Sequence, residues 1–347
     1  MSTWSIVLDE IIVDKNLSSE NARWAMNEIL SGSAEPGQIS AFLVAMRAKG
    51  ETPSDIKTFI DVMLEFANPA SVAGISVDTC GTGGDGMHTV NISTMASVVV
   101  AASGTTVVKH GNRAASSKCG SADVLEILGV KLNPEIARVS EIANEVGITF
   151  YFAPEFHPAL KYAGPVRKQL GIRTFFNVIG PLANPAKPQA QIVGVPNLEI
   201  GDLISQVLAE RGTSAIVILG DDGLDEFSIH SANQLWVVNN GKVTKKKVSP
   251  SEVGVGVHGL DVLAGGDAAF NADVVHSVFA NDESAKIAGI VDAVAINAAC
   301  AMTAVEGIDK EVNVVEALSR NFIQAREIIA SGLASKKLAQ WIAASQK

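Results

Sequence analysis

Residues 77–123 read VDTCGTGGDGMHTVNISTMASVVVAASGTTVVKHGNRAASSKCGSAD, and the fold turns on this stretch. A β-like run (Ile75, Val77) feeds Gly81-Thr82-Gly83-Gly84-Asp85-Gly86, whose glycines leave the backbone bare and free to adopt positive φ. Such a loop can wrap its N–H groups around an anion. The polar cluster Asn91-Ile92-Ser93-Thr94 then opens the apolar segment Met95 to Ala102, so hydroxyls and free amides fall at a helix N-terminus, where phosphate is favoured. A second strand-like run, Thr105 to Val108, empties into Lys109-His110-Gly111-Asn112-Arg113 and the loop Ser116-Ser117-Lys118-Cys119-Gly120-Ser121. Two loops at the carboxyl ends of strands, one glycine-rich and one basic, are what the crevice rule for open α/β sheets expects of a highly anionic ligand. Dinucleotide and P-loop readings fit less well. GTGGDG is not G-x-G-x-x-G, no acidic residue ends a following strand at the right distance, and no G-K-[ST] follows.

Upstream, the first seventy residues read as helices with short loops. Ser18 caps a stripe of Ala22, Ala25, Met26, Ile29 and Leu30 that Gly32 ends. Pro36 starts a second helix (Ile39, Phe42, Leu43, Met46), stopped by Gly50, and Thr52-Pro53-Ser54-Asp55 starts a third (Ile56, Phe59, Ile60, Met63, Leu64). Beyond Asn68-Pro69-Ala70, strands and helices alternate as in a mostly parallel sheet. Strands are expected near 75–79, 105–109, 148–152, 190–195 and 214–219. Helices are expected near 121–128 with Ser121 as cap, near 134–146 with Asn133 as cap and Pro134 first, and near 199–211. A hairpin from Gln234 to Val248 turns at Asn239-Asn240-Gly241, and the tail from Ser284 is helical. The segment from His157 to Pro188, with two Gly-Pro pairs and with Arg167, Lys168 and Arg173, breaks the alternation and suggests a crossing between domains, where ligand clefts are common.

The fold class expected is therefore α/β: a small N-terminal helical domain over 1–70, joined by part of 160–188, and a larger domain over 71–347 with a mostly parallel sheet flanked by helices. A chain of 347 residues suits two cores better than one. The formal charge of −10 argues against a general nucleic-acid binder, although Lys109, Arg113 and Lys118 still form a local basic pocket. Thr89 to Val108 holds no formally charged residue, His88 lying just outside it, yet its Asn, Ser and Thr and the break at Gly104 favour a buried helix and strand over a membrane span. MSTWSIVLDE shows no secretory pattern, and Cys80, Cys119 and Cys300 form no C-x-x-C pair, which suits the cytoplasm and packed, unreactive thiols.

CGTGGD at 80–85, NIST at 91–94, KHGNRAASSKCGSADVLEILG at 109–129, HPALK at 157–161, PVRKQLGIRTFFNVIGPLANP at 165–185 and GDDGLDEFS at 220–228 resemble the anthranilate phosphoribosyltransferases, nearly end to end and in order. The resemblance implies transfer of the phosphoribosyl group of phosphoribosyl pyrophosphate to the amine of anthranilate, with inversion at the ribose C1. It implies Mg2+, two ions per subunit, at Ser93, Asp225 and Glu226. For phosphoribosyl pyrophosphate it nominates Gly81, Gly84, Asp85, Thr89, Asn91, Ile92, Ser93, Thr94, Lys109, His110, Gly111, Asn112, Arg113, Ala114, Ala115, Ser116, Ser117 and Ser121. For anthranilate it nominates Arg167, whose planar fork suits a carboxylate, with Asn112 and Gly81 beside the amine and His110 and Pro181 lining the path. His110 reads as a positioning residue, since an arylamine sheds its proton readily once its lone pair is engaged; general base is the minor alternative. His88 and His157 have weaker claims. A homodimer through the helical domain is implied as well.

Two other functions compete. A pyrimidine nucleoside phosphorylase shares the order of a glycine-rich loop before a lysine-bearing one, but has no use for Arg167 or the Asp225-Glu226 pair. A nucleic-acid-binding protein on the same fold should show a basic groove, which this acidic chain lacks.

Overall fold

The computed structural model describes residues 2–114, 118–280, 282, 284–308 and 313–347. The chain divides into two compact units, one of residues 1–69 and 153–185, the other of residues 70–152 and 186–347.

The first unit is helical because its apolar residues recur at helical spacing and its ends carry stop and start signals. Helices span Trp4–Ile12, Ser19–Ser31, Pro36–Lys49 and Pro53–Glu65. The Ser18 hydroxyl accepts from the Asn21 amide, Gly32 closes that helix at φ 81°, and Thr52 and Asp55 form a reciprocal capping box. The segment from His157 to Pro188, expected to be irregular, instead holds short helices over much of its length, among them Gly164–Leu170 and Phe175–Leu182, and residues 153–185 belong to this unit. The segment joins this unit through Phe175, whose ring centroid lies 4.3 Å from Phe59 and 5.9 Å from Phe42. Buried aromatic faces outweigh the gap of more than eighty residues in the sequence.

In the second unit the strands β1 (Ser76–Gly81), β2 (Thr106–Gly111), β3 (Ile148–Phe152), β4 (Ala190–Gly194), β5 (Ser214–Gly220), β6 (Asn233–Asn239) and β7 (Lys242–Val248) form one sheet in the order β3-β2-β1-β4-β5-β6-β7. The first five are parallel; β6 and β7 run antiparallel. Every residue of β4 and β5 is buried, as a parallel sheet covered on both faces requires. The hairpin turns where expected, with Asn240 at φ 47° and Gly241 at φ 72°, the pair of positive angles a type I′ turn needs. Edge strand β7 carries Lys242, Lys245, Lys246 and Lys247, which discourage further strand pairing.

Two helix starts differ from expectation. The helix Ser121–Ile127 is capped at Gly120, not Ser121, because the Asp123 carboxylate reaches back to the Gly120 amide and the Ser121 hydroxyl turns to the Asn112 carbonyl. The next begins at Ile136 with Glu135 ahead of it, so Asn133-Pro134 lies in the preceding loop. The uncharged run after Thr89 is the buried helix Ile92–Ala102 followed by β2. Among the described residues, Lys286–Glu306 is the helix long and apolar enough to cross a membrane, and 94% of that window is buried inside the protein as core.

Candidate active site

The strand order reverses between β1 and β4, and the crevice outside the carboxyl ends of strands at such a point is where open α/β sheets take ligands. Gly81 ends β1 beside Gly194, which ends β4, and the Thr82 amide donates to the Gly194 carbonyl at 2.9 Å. Into this notch comes Asp225. A Cβ on Gly194 would meet the Asp225 carbonyl oxygen at 1.5 Å, and one on Gly81 would meet its carboxylate at 2.9 Å, so both glycines are there for close approach. The Asp225 Oδ2 accepts from the Gly83 amide at 2.9 Å, which fixes the acidic turn against the glycine loop.

Gly83, Gly84 and Gly86 adopt φ of 63°, 84° and 75°, the left-handed angles that a loop folded back on its own amides requires. Asp85 accepts from the Met87 amide at 3.1 Å. Thr89 bridges to Ala264, and the Val90 amide donates to the Leu263 carbonyl, so the far end of the loop is anchored as well. The chain then enters the helix Ile92–Ala102, where Ile92 is buried and Ser93 and Thr94 occupy the first turn. The Thr94 hydroxyl is buried without a hydrogen-bond partner inside the described protein, an arrangement that costs about 1–3 kcal/mol unless a ligand or water completes it.

Beneath this loop lies Lys109, buried to 2% exposure. Its ammonium donates to the Thr79 carbonyl and to the Ser93 hydroxyl, the latter at 3.3 Å. Burial lowers its pKa, while the charges of Asp78 and Glu226 work to raise it. Glu226 accepts a backbone hydrogen bond from Ser93; enclosure of its carboxyl, and then the charge of Asp225, push its pKa up to about 8. Ser93, Asp225 and Glu226 therefore converge on the first turn of the helix and the glycine loop. Among the described residues no group of three or more His, Cys, Asp or Glu side chains could hold a metal by itself. The oxygen donors here, one hydroxyl and two carboxylates, suit Mg2+, which completes its shell with water and substrate phosphate.

The second loop leaves β2 at His110 and Gly111. The His110 amide donates to buried Asp78 at 3.1 Å, and a Cβ on Gly111 would collide with the Ser121 hydroxyl at 2.4 Å. Asn112 accepts from the Arg113 amide through its side chain. The Arg113 guanidinium is held by Asp123 and Glu126, at 3.1 and 2.8 Å, rather than standing alone as a phosphate clamp. Asp123 also accepts from the Ala114 and Gly120 amides, closing the neck of the loop. Ala115, Ser116 and Ser117 lie outside the described residues.

Arg167 and Pro181 belong to the helical unit. The Arg167 guanidinium lies 5.0 Å from the Phe176 ring centroid, burial lowers its pKa, and no carboxylate pairs with it among the described residues. Pro181 sits inside the helix Phe175–Leu182. Other titratable candidates recede. His157 is buried with Nε2 2.9 Å from the Ala183 carbonyl, and burial lowers its pKa to about 4. Burial also raises the thiol pKa of Cys80, Cys119 and Cys300, all unbridged, so none is poised as a thiolate.

Sequence reading passed over Asp78 and Gly194. A carboxylate in the middle of an apolar strand was a usable signal for the first; nothing local marks the second, whose role depends on a turn thirty residues away.

The chain matches the family model for the glycosyl transferase family a/b domain over residues 73–335 and that for its helical bundle domain over residues 6–67. It is 48% identical over 339 residues to the anthranilate phosphoribosyltransferase of Rhodococcus jostii, covering 98% of this chain and 92% of that one. With the enzyme of Thermobifida fusca it shares 44% identity over 344 residues, 99% of this chain and 97% of the other. The chain belongs to the anthranilate phosphoribosyltransferase family. It resembles the crystal structure of the Thermus thermophilus family member with a TM-score of 0.89 at 36% identity, covering 98% and 99% of the two chains. The Saccharomyces cerevisiae family member, solved with PRPP and Mg, gives 0.89 at 25% identity, covering 99% and 98%. This transferase is thus a glycosyltransferase of tryptophan biosynthesis that moves a phosphoribosyl group onto anthranilate, and the phosphorylase and nucleic-acid readings give way.

Proposed function

We propose that the loops of residues 81–94 and 109–121 hold phosphoribosyl pyrophosphate, that Ser93, Asp225 and Glu226 hold Mg2+ at its pyrophosphate end, and that Arg167 receives the anthranilate carboxylate. The observation that carries this reading is the convergence at the β1/β4 switch point: Asp225 tied to the Gly83 amide, Glu226 to the Ser93 amide, and Thr94 with a buried hydroxyl awaiting a partner. The pKa of the Glu226 carboxyl is raised by its enclosure and then by the Asp225 charge, and a cation bound beside it would stabilise its ionised form. Two ions per subunit are part of the proposal. Bound there, Mg2+ would neutralise the charge that gathers on the departing pyrophosphate.

The protein's own part is positioning. The turned glycine loop presents amides and the first helical turn presents the Ser93 and Thr94 hydroxyls to phosphate, and Asp85 accepts from a ribose hydroxyl. The amine nitrogen, held by Asn112 and the Gly81 backbone, attacks the ribose C1 on the face opposite pyrophosphate; the C–N bond forms, the C–O bond to pyrophosphate breaks, and the amine releases its proton. His110 fixes the geometry of this approach. Holding two reactants in line removes much of the entropic barrier to their meeting. Lys109 acts from beneath, anchoring Ser93 to β1 while its charge acts on Glu226.

The test follows anthranilate fluorescence with phosphoribosyl pyrophosphate and Mg2+, each omitted in turn. Turnover that persists without Mg2+ in the presence of a chelator would sink the metal assignment. A cytoplasmic homodimer completes the reading. The helical unit leaves Ile12 at 56%, Val13 at 71% and Val44 at 44% exposed, apolar surface that a second copy would cover. Sedimentation should give a dimer for the wild type and a monomer for Val13→Asp/Val44→Asp; a monomeric wild type at micromolar concentration contradicts it.

A further inference from the structure

Asn91 stands at the N-cap position of the helix Ile92–Ala102, yet its side chain makes no capping hydrogen bond. An asparagine there ordinarily folds its oxygen onto an amide of the first turn. Here that oxygen is engaged elsewhere. The Asn91 Oδ1 accepts from the Asn271 Nδ2 at 2.8 Å and from the Cys119 thiol at 3.4 Å. The Asn91 Nδ2 donates to the Cys119 carbonyl, also at 3.4 Å. Asn271 is 1% exposed, in the first turn of the helix Ala268–Phe279, and its own Oδ1 is fixed by the Gly266 amide at 2.9 Å. With its oxygen so occupied, its amide nitrogen can only point toward Asn91.

We propose that Asn271 is a positioning residue for phosphoribosyl pyrophosphate: it fixes the Asn91 side chain and keeps it bonded to the second loop at Cys119, so that the two loops that hold the substrate keep one spacing. Without this donor the Asn91 side chain loses its fixed orientation and the link between the loops is released. Asn271 touches no substrate. Its effect therefore falls on one substrate's binding and passes through Asn91. The inference rests on the reading that residues 91–94 bind phosphoribosyl pyrophosphate.

The experiment measures KM for both substrates, and direct titration of phosphoribosyl pyrophosphate with Mg2+, in Asn271→Leu, Asn91→Ala and the double variant. Asn271→Ala serves as a second probe if the leucine disturbs packing. Removing one donor to a buried partner should raise the KM for phosphoribosyl pyrophosphate about tenfold, leaving that for anthranilate within about twofold. The double variant should bind no more weakly than Asn91→Ala alone. Equal rises in both KM values, or additive losses in the double variant, would make Asn271 a general packing residue and overturn the proposal. If Asn91→Ala weakens phosphoribosyl pyrophosphate while Asn271→Leu and Asn271→Ala do not, the inference fails and the site reading stands. If Asn91→Ala and Ser93→Ala both leave that substrate untouched, the site reading itself fails.

Discussion

Replacing the acidic pair, as Asp225→Asn/Glu226→Gln, should stabilise the metal-free protein while disabling it. Burial and the neighbouring Asp225 charge hold the Glu226 carboxyl at about 8, against 4.5 when unperturbed. Between those values the folded chain binds a proton that the unfolded chain has lost, so rising pH favours unfolding. The penalty is absent below pH 4.5 and complete near pH 8. Taken whole, a displacement of that size has a ceiling of about 5 kcal/mol, and solvent screening of a half-buried group brings the expected gain to roughly 1–2 kcal/mol. For a chain of this length that is a rise of about 1.5–3 °C in Tm. The assay is a melting series in chelator from pH 5 to pH 8.5, in which the gap between variant and wild type opens as pH rises. In parallel, activity against Mg2+ should shift to higher concentration, with partial recovery at high metal by mass action. A Tm gap that is flat across this pH range, or a variant that keeps the wild-type Mg2+ dependence, would refute the reasoning and move the metal site elsewhere.

Other substitutions probe other parts of the molecule. Arg167→Ala removes a charge-assisted fork from one substrate only, so the KM for anthranilate should rise about 30–100-fold with that for phosphoribosyl pyrophosphate nearly unchanged; equal effects on both reject the assignment. Gly194→Ala places a methyl 1.5 Å from the Asp225 carbonyl, forcing the acidic turn off the sheet, and steady-state activity and Tm should both fall, the latter by several degrees. Replacing Cys80, Cys119 and Cys300 together with Ala should leave turnover within the range of packing changes, because no step uses a thiolate; complete loss in a folded triple variant reverses that view.

Much of this protein was written locally. The caps at Ser18 and Thr52, the turn at Asn240-Gly241 and the alternation after Ala70 depend on neighbours within a few residues, and the structure forms each of them. The family, too, was legible, since its motifs are contiguous runs. The cap at Gly120 escaped because Asp123 competes for the role, a contest between side chains that residue type alone does not settle. Contacts between distant segments decided the rest. Sheet order put Gly194 beside Gly81 and so opened the notch that receives Asp225. Packing on Phe42 and Phe59 drew residues around Phe175 into the helical unit. Arg113 and Lys109 read in sequence as two cations facing phosphate; in the fold, Arg113 pairs with Asp123 and Glu126, and Lys109 lies beneath the loop against Thr79 and Ser93. Sequence determined which charges the site contains. Where each side chain spends its charge depends on the partners that tertiary packing brings within about 3 Å, since a hydrogen bond or ion pair weakens steeply beyond that reach.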